Sequence, residues 1–424
     1  MTDTADTRTD PVVDAPAERC PVHDLATDYD MFDPDYMRDP VPAWAELRGT
    51  CPIAHTERNG GSWLPTRYDD VQAMARMVPS LSSLSPLVID LPDEIADDPA
   101  TGFFSGYNAG APISADPPVQ GWTRRLLLPH FTPKAVEPLR GYTERLCHEL
   151  IDGFIDEGGC DATAQYAQQI PPRLIARKLG IDESRGNQFT EWVRNAGELG
   201  QLDPELRVRS RKVIRDFFHS EVADRRADPK DPKDDLISAL LESEVEGEPI
   251  TDEMVVGMCN LQLVAGIETT RSSIGSALWH LAGHEDDRRR LAAEPDLWDT
   301  ALEELLRFYS PVTMGRNATE DVDYGDVAFR KGDKILMNFP GANHDPEVFD
   351  NPDVVVLDRQ RNRHIAFGAG IHRCAGSNLA RMEMEVALMA WFERIPEFTL
   401  SDPDAMVWSG GQIRGPRILP IAFG

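Results

Sequence analysis

Apolar residues recur at helical spacing through the middle of the chain. From Trp122 to about His280 the pattern is almost all helix, broken near Pro133, Gly158-Gly159, Gly180, Pro204, Asp228 to Lys233 and Glu246 to Pro249. Asp252 to His284 is the longest apolar-rich stretch and predicts one long helix. Its charge-free run, Met254 to Ile267, is fourteen residues, too short for a bilayer and suited to a buried core helix. Val41 to Arg48, Asp69 to Met77 and Asn378 to Glu393 read as further helices. Strand-like runs lie on either side of this helical block. Cys51 to Thr56 and Ser62 to Leu64 flank an Asn59-Gly60-Gly61 turn, and Pro65 closes the second run. Arg316 to Thr319, Val327 to Phe329 and Lys334 to Asn338 follow Pro311, the last after a Lys331-Gly332-Asp333 turn, and short strand-like pieces come at the end. The fold class is mainly α with a small β-sheet subdomain fed from both ends of the sequence.

No internal repeat and no clean linker divides the pattern, so residues 31–424 read as a single domain. Residues 1–30 are rich in Asp, Thr and Pro without periodicity and read as a flexible acidic tail. Pro79 to Pro118 carries many Pro, Ser, Asp and Gly residues with Phe103, Phe104 and Tyr107 interspersed. A segment of that length and composition reads as a lid, a binding loop or disorder, and the interleaved aromatics favour a binding loop.

Composition narrows the function. Hydrophobic residues make up 41% of the 424, ample for a large core, and the net charge is −29. That charge excludes bulk binding to nucleic acid or to anionic membranes. The six cysteines, at 20, 51, 147, 160, 259 and 374, form no CxxC and no zinc-finger spacing with histidine. Met1 to Pro11 is acidic and polar, without the apolar core of a signal peptide. A cytoplasmic protein with free thiols and no membrane anchor is expected, with monomer as the default.

The sharpest chemical feature is Phe367-Gly368-Ala369-Gly370-Ile371-His372-Arg373-Cys374-Ala375-Gly376. Its glycines permit tight turns and hold a cysteine at the mouth of the next helix, where N–H groups and Arg373 favour a thiolate. A buried structural cysteine fits this stretch better when the stretch is taken alone. Glu304 and Arg307 lie three apart on one helical face, as in many surface ion pairs. Glu268 and Thr269 sit mid-helix in the apolar stretch, where an acid is costly without a partner or a task. Thr269 can bond back to a carbonyl there and bend the helix.

The ten-residue loop resembles the haem-binding loop of the cytochromes P-450. Glu304-Leu305-Leu306-Arg307 is similar to that family's Glu-x-x-Arg helix, and Ala265-Gly266-Ile267-Glu268-Thr269-Thr270 to its oxygen-binding helix. The order and spacing agree from about residue 30 to 424, and the camphor-hydroxylase type of soluble bacterial enzyme looks most alike. The resemblance implies the cytochrome P-450 fold and a haem b whose axial ligand is the Cys374 thiolate. It places Phe367, Gly368 and Gly370 around that ligand and Ala265 and Gly266 over the opposite face of the ring. Thr269 would steady dioxygen and water, and Glu268 would relay protons. Glu304 and Arg307 would be buried and bonded to Arg359, or to His364 in its place. Arg124, Arg316 and His372 would meet the two propionates, while Gln120 stands where many relatives have a histidine.

By the same resemblance the substrate wall draws on Phe103, Phe104, Tyr107, Leu263, Val264, Val312, Met314 and Ile413. Arg361, Arg363, Arg373 and Arg381 would receive an acidic iron–sulfur ferredoxin served by a ferredoxin reductase. The implied reaction is hydroxylation of a small hydrophobic compound with O2 and electrons from NAD(P)H. The competing readings are a peroxygenase driven by hydrogen peroxide, a non-catalytic haem sensor or electron carrier, and a colourless helical binding protein.

Overall fold

Residues 22–92 and 110–424 are described by a computed structural model of the chain. The folded part begins ahead of the residue-30 boundary drawn from composition. Leu25–Asp28 is a short helix capped by Asp24, and Tyr29 and Asp30 behind it are buried. Tyr29 decides this, because its ring packs inward while its hydroxyl bonds to Ser62. Helix α1 (Val41–Thr50) leads into β1 (Ile53–Thr56) and β2 (Ser62–Pro65), an antiparallel pair. A helix over Tyr68–Met74 stops three residues short of expectation, ahead of Pro79. Leu81–Ser82 forms β3 inside the stretch expected to be a loop throughout. Phe103, Phe104 and Tyr107 lie outside the described residues.

The helical block then unfolds in order as α2 (Val119–Leu127), α3 (Arg140–Asp152), the three-residue strand β4 (Gly159–Asp161), α4 (Ile170–Lys178), α5 (Gly186–Ala196) and α6 (Pro204–Ala227). Thr251 caps α7 (Asp252–Gly283) through a bond from Met254 N (3.2 Å), and two acids fill its first turn. The charge-free run makes α7 the core of the block. It is buried on nearly every side, with α4, α6 and α9 (Ser377–Arg394) packed against it. Shorter helices at Leu236–Leu241 and Glu285–Ala293 flank α7, and helix α8 (Trp298–Phe308) follows. No helix among the described residues is long and apolar enough to cross a membrane.

The larger sheet runs β1-β2-β6-β5-β3, where β5 is Met314–Ala318 and β6 is Lys334–Met337. A second sheet runs β7-β10-β4, with β7 at Phe398–Leu400 and β10 at Pro420–Phe423. Between them in sequence, β8 (Val407–Ser409) and β9 (Gly415–Ile418) form a hairpin. The break expected at Gly158-Gly159 is therefore a strand. Its signal is too short to see locally, and Pro420↔Asp161 pairing from the other end of the chain creates it.

Candidate active site

The cysteine loop is shaped by close approach. Cys374 N donates to Phe367 O at 2.8 Å, closing the turn. Gly370 has φ of 69°, and a Cβ there would lie 2.8 Å from Ala75 O, so only glycine fits. Gln120, at the position noted for its missing histidine, donates Nε2 to Ile371 O at 2.7 Å and braces the loop from α2. Cys374 offers its accessible surface to an internal cavity of about 310 Å3. Burial pushes its thiol pKa up, against the pull of Gly376 N–H and of Arg124, Arg373 and Arg381. Such a sulfur stays protonated until a cation meets it, and coordination deprotonates it.

Behind the loop lies a buried ionic knot. Glu304 and Arg307 are both fully buried, joined by Arg307 Nη2 to Oε1 and Nε to Oε2, each 2.8 Å. Arg359 Nε, Asn362 Nδ2 and Val356 N also donate to the Glu304 carboxylate, at 2.9, 3.1 and 2.9 Å. Arg307 in turn donates to the carbonyls of Asn343, Pro352 and Val354. Burial alone would raise the Glu304 pKa, but these donors hold it below the usual carboxylate range. His364 binds Glu303 instead, at 2.9 Å, and Arg381 binds the same Glu303. Arg381 also lies 4.4 Å over the Phe367 ring. It is thus tied to the loop by an ion pair, whereas Arg361, Arg363 and Arg373 are exposed.

Two guanidinium groups and an imidazole gather on the wall of the cavity. Arg124, Arg316 and His372 all line it, and His372 Nε2 and Arg316 Nε are buried without hydrogen-bond partners. The His372 pKa is pushed down to about 3 by burial first, then by Arg316 and Arg124. Arg316 is lowered to about 10 by its own burial, with Asp116 opposing. Two orphaned nitrogens and two clustered guanidiniums beside a neutral imidazole suit a dianionic group, as the propionates of a haem are.

The same cavity is lined from α7 by Val264, Ala265, Gly266 and Thr269. Gly266 permits close helix packing, because a Cβ there would lie 2.6 Å from Ile175 Cδ1 of α4. Thr269 Oγ1 donates to Ala265 O at 2.9 Å, the backward bond expected of a mid-helix threonine. Val312, Met314 and Ile413 also line the space, with Val312 and Ile413 joined by an isolated β-bridge. Leu263 does not line it. It points into the helical core with no exposed surface.

Glu268 is placed differently from a free acid. Its Oε2 takes Arg271 (Nη2 at 2.8 Å) and Arg417 of β9 (Nη2 at 3.4 Å), while Oε1 is sealed with no hydrogen-bond partner. Arg271 stands three residues on along α7 and was legible as an ion-pair partner. Arg417 stands 149 residues away and left no local signal.

Comparison with known proteins agrees with this geometry. The family profile for cytochrome P-450 matches residues 201–405. The polyketide-biosynthesis cytochrome P-450 PksS of Bacillus subtilis is 32% identical over 412 residues, covering 93% of this chain and 98% of that protein. The mycinamicin IV hydroxylase/epoxidase of Micromonospora griseorubida is 32% identical over 392 residues, covering 90% and 94%. The solved structure of PksS superposes with a TM-score of 0.83 over 93% of this chain and all of that one, at 31% identity. The chain belongs to the cytochrome P-450 family, the haem–thiolate monooxygenases.

Proposed function

We propose that the chain holds haem b through the Cys374 thiolate and inserts one oxygen atom from O2 into a C–H bond of a hydrophobic compound. The observation that carries this is the convergence of Cys374, the partnerless His372 and Arg316 donors, and Thr269 on one cavity. Haem so bound supplies the oxidising chemistry, which a thiolate ligand pushes toward O–O cleavage. The chain's own residues do the rest. Gln120, Gly370 and the knot around Glu304 fix the loop that carries the sulfur. Arg124, Arg316 and His372 bind and orient the propionates. Thr269 holds a proton at Oγ1 on the cavity side of α7, and Glu268 supplies protons to that hydroxyl. The apolar Val264, Val312, Met314 and Ile413 exclude water and select an apolar substrate.

Relatives named for polyketide biosynthesis and for mycinamicin IV support a bulky hydrophobic substrate. Electrons come from NAD(P)H through a reductase and an acidic ferredoxin that docks on Arg361, Arg363 and Arg373. The test is the spectrum of the dithionite-reduced protein with carbon monoxide. The strongly red-shifted Soret band of a thiolate-ligated haem is expected, and its loss in Cys374→Ala. A band typical of histidine ligation, or a colourless protein, would overturn the reading.

A further inference from the structure

Two arginines near the start of α6 are buried on the cavity wall. Arg207 is 2% exposed and Arg211, one turn further along, is 3% exposed, and both line the space that Cys374 and Thr269 also line. They stand on a different element from Arg124, Arg316 and His372, which α2, β5 and the cysteine loop supply.

Arg207 is fixed by neutral acceptors. Its Nε donates to Gly200 O at 2.6 Å, its Nη2 to Gln201 O at 2.7 Å and its Nη1 to Ile89 O at 3.0 Å. The α5–α6 connection and the segment after β3 thus aim the guanidinium. A guanidinium has five N–H groups, so one is left on each Nη nitrogen, a pair suited to the two oxygens of a carboxylate.

The acids nearby are already matched or neutral. Asp90 acts on Arg207 through space, but it accepts from Lys334 Nζ at 2.7 Å. Of the acids on the described cavity wall, Glu198 is paired with Arg417 and Glu268 with Arg271. Burial holds the pKa of the third, Glu383, well above its usual value and keeps it protonated. Arg207 is lowered to about 10 by burial, and Arg211 is pushed well below its ordinary value by burial first and then by Arg207. A buried guanidinium held only by carbonyls, with a second beside it, is costly, and an incoming anion offsets that cost.

We propose that Arg207, with Arg211 beside it, binds a carboxylate carried by the substrate, so that the compound oxidised is an apolar body with one anionic end. This rests on the reading of the cavity as the haem and substrate site. Holding that end fixes which part of the apolar body lies against the haem.

The test compares acids with their own methyl esters, which keep the body and remove the charge. Dodecanoic, hexadecanoic and cholanic acids and their methyl esters are titrated into the holoenzyme at neutral pH. Affinity is read by calorimetry and by the spin-state shift of the Soret band. At least one acid is expected to bind about tenfold or more tightly than its ester. The ratio of acid to ester affinity is the readout, because a general loss of pocket shape acts on both. It should fall to about one in Arg207→Gln and stay above about three in Arg207→Lys, which keeps the charge but not the fork. Arg211→Gln should lower it in part. Failure of all the acids to bind, a ratio near one in the parent, or a ratio that survives Arg207→Gln overturns the proposal, and the first two need no variant to fold. A haem-loaded protein with no acid preference fails this inference and leaves the haem–thiolate reading intact. A colourless protein fails that reading and takes this inference with it.

Discussion

Replacing Glu304 by alanine tests the knot behind the cysteine loop. The substitution removes both carboxylate oxygens from a fully buried site, together with five hydrogen bonds from Arg307, Arg359, Val356 and Asn362. Arg307 keeps three carbonyl acceptors but loses its counter-charge where no water reaches it. Breaking a buried pair from one side costs about 3–5 kcal/mol. Here the upper half of that range applies, because Val356 N and Asn362 Nδ2 lose their acceptor as well. A loss of about 4 kcal/mol shifts the folding equilibrium by about a thousandfold. That is a large share of the roughly 5–15 kcal/mol typical of a folded protein. The loop carrying Cys374 would lose its support, so the expected product is poorly folded and colourless. Urea unfolding monitored by circular dichroism, with haem content from the carbon monoxide difference spectrum, measures both effects. A well-folded, haem-loaded Glu304→Ala protein less than about 1 kcal/mol weaker than the parent would refute the reasoning.

Other substitutions probe the remaining parts. Thr269→Ala should consume reductant at near the parent rate but divert electrons to hydrogen peroxide, and unchanged coupling to product would contradict the role given to Oγ1. Gly266→Ala should destabilise by about 1–3 kcal/mol through overlap with Ile175, and Ile175→Ala in the same chain should recover part of it in thermal melts. Glu303 is held at about 2 by Arg381 and His364 against the upward push of burial, compared with 4.5 when unperturbed. Its contribution, no more than about 3 kcal/mol, is present above pH 4.5 and is lost as the pH falls toward 2, because the unfolded chain takes up the proton first. Glu303→Gln should therefore flatten the acid limb of stability measured by urea midpoints. Reduction by an acidic ferredoxin should slow as salt rises, and more steeply in the parent than in Arg363→Gln.

The long helix, the hairpin of β1 and β2 and the fold class were legible because their patterns are local. Asp252–Gly283 carries its own cap and apolar run, and the cysteine loop carries its glycines. Arg359 was legible as the third member of the Glu304 knot only through family resemblance. Nothing in its own neighbourhood marks it as bonded 55 residues back. The pairing of Arg381 with Glu303 was not legible, because Glu303 had no visible partner until α8 and α9 were set side by side. Leu263 and Val264 are neighbours on α7, and only three-dimensional packing decides that one faces the core and the other the cavity. Arg417 and β4 were hidden for the same reason, since their partners come from the far end of the sequence.

The pairing of β10 with β4 has a consequence for synthesis. Asp161 leaves the ribosome roughly 260 residues before its partner Pro420, which at typical translation speeds is a wait of about 13–52 s. Throughout that interval the edge of β4 lacks its partner, and α7, once made, lacks the strands at the end of the chain that pack on it. The cavity wall itself is complete only after this delay, because Ile413 comes late in the same stretch. Yield in a heterologous host should thus depend on chaperone supply and cofactor supply at different moments. Slowing translation ahead of residue 400 would lengthen the exposed state without hastening its rescue.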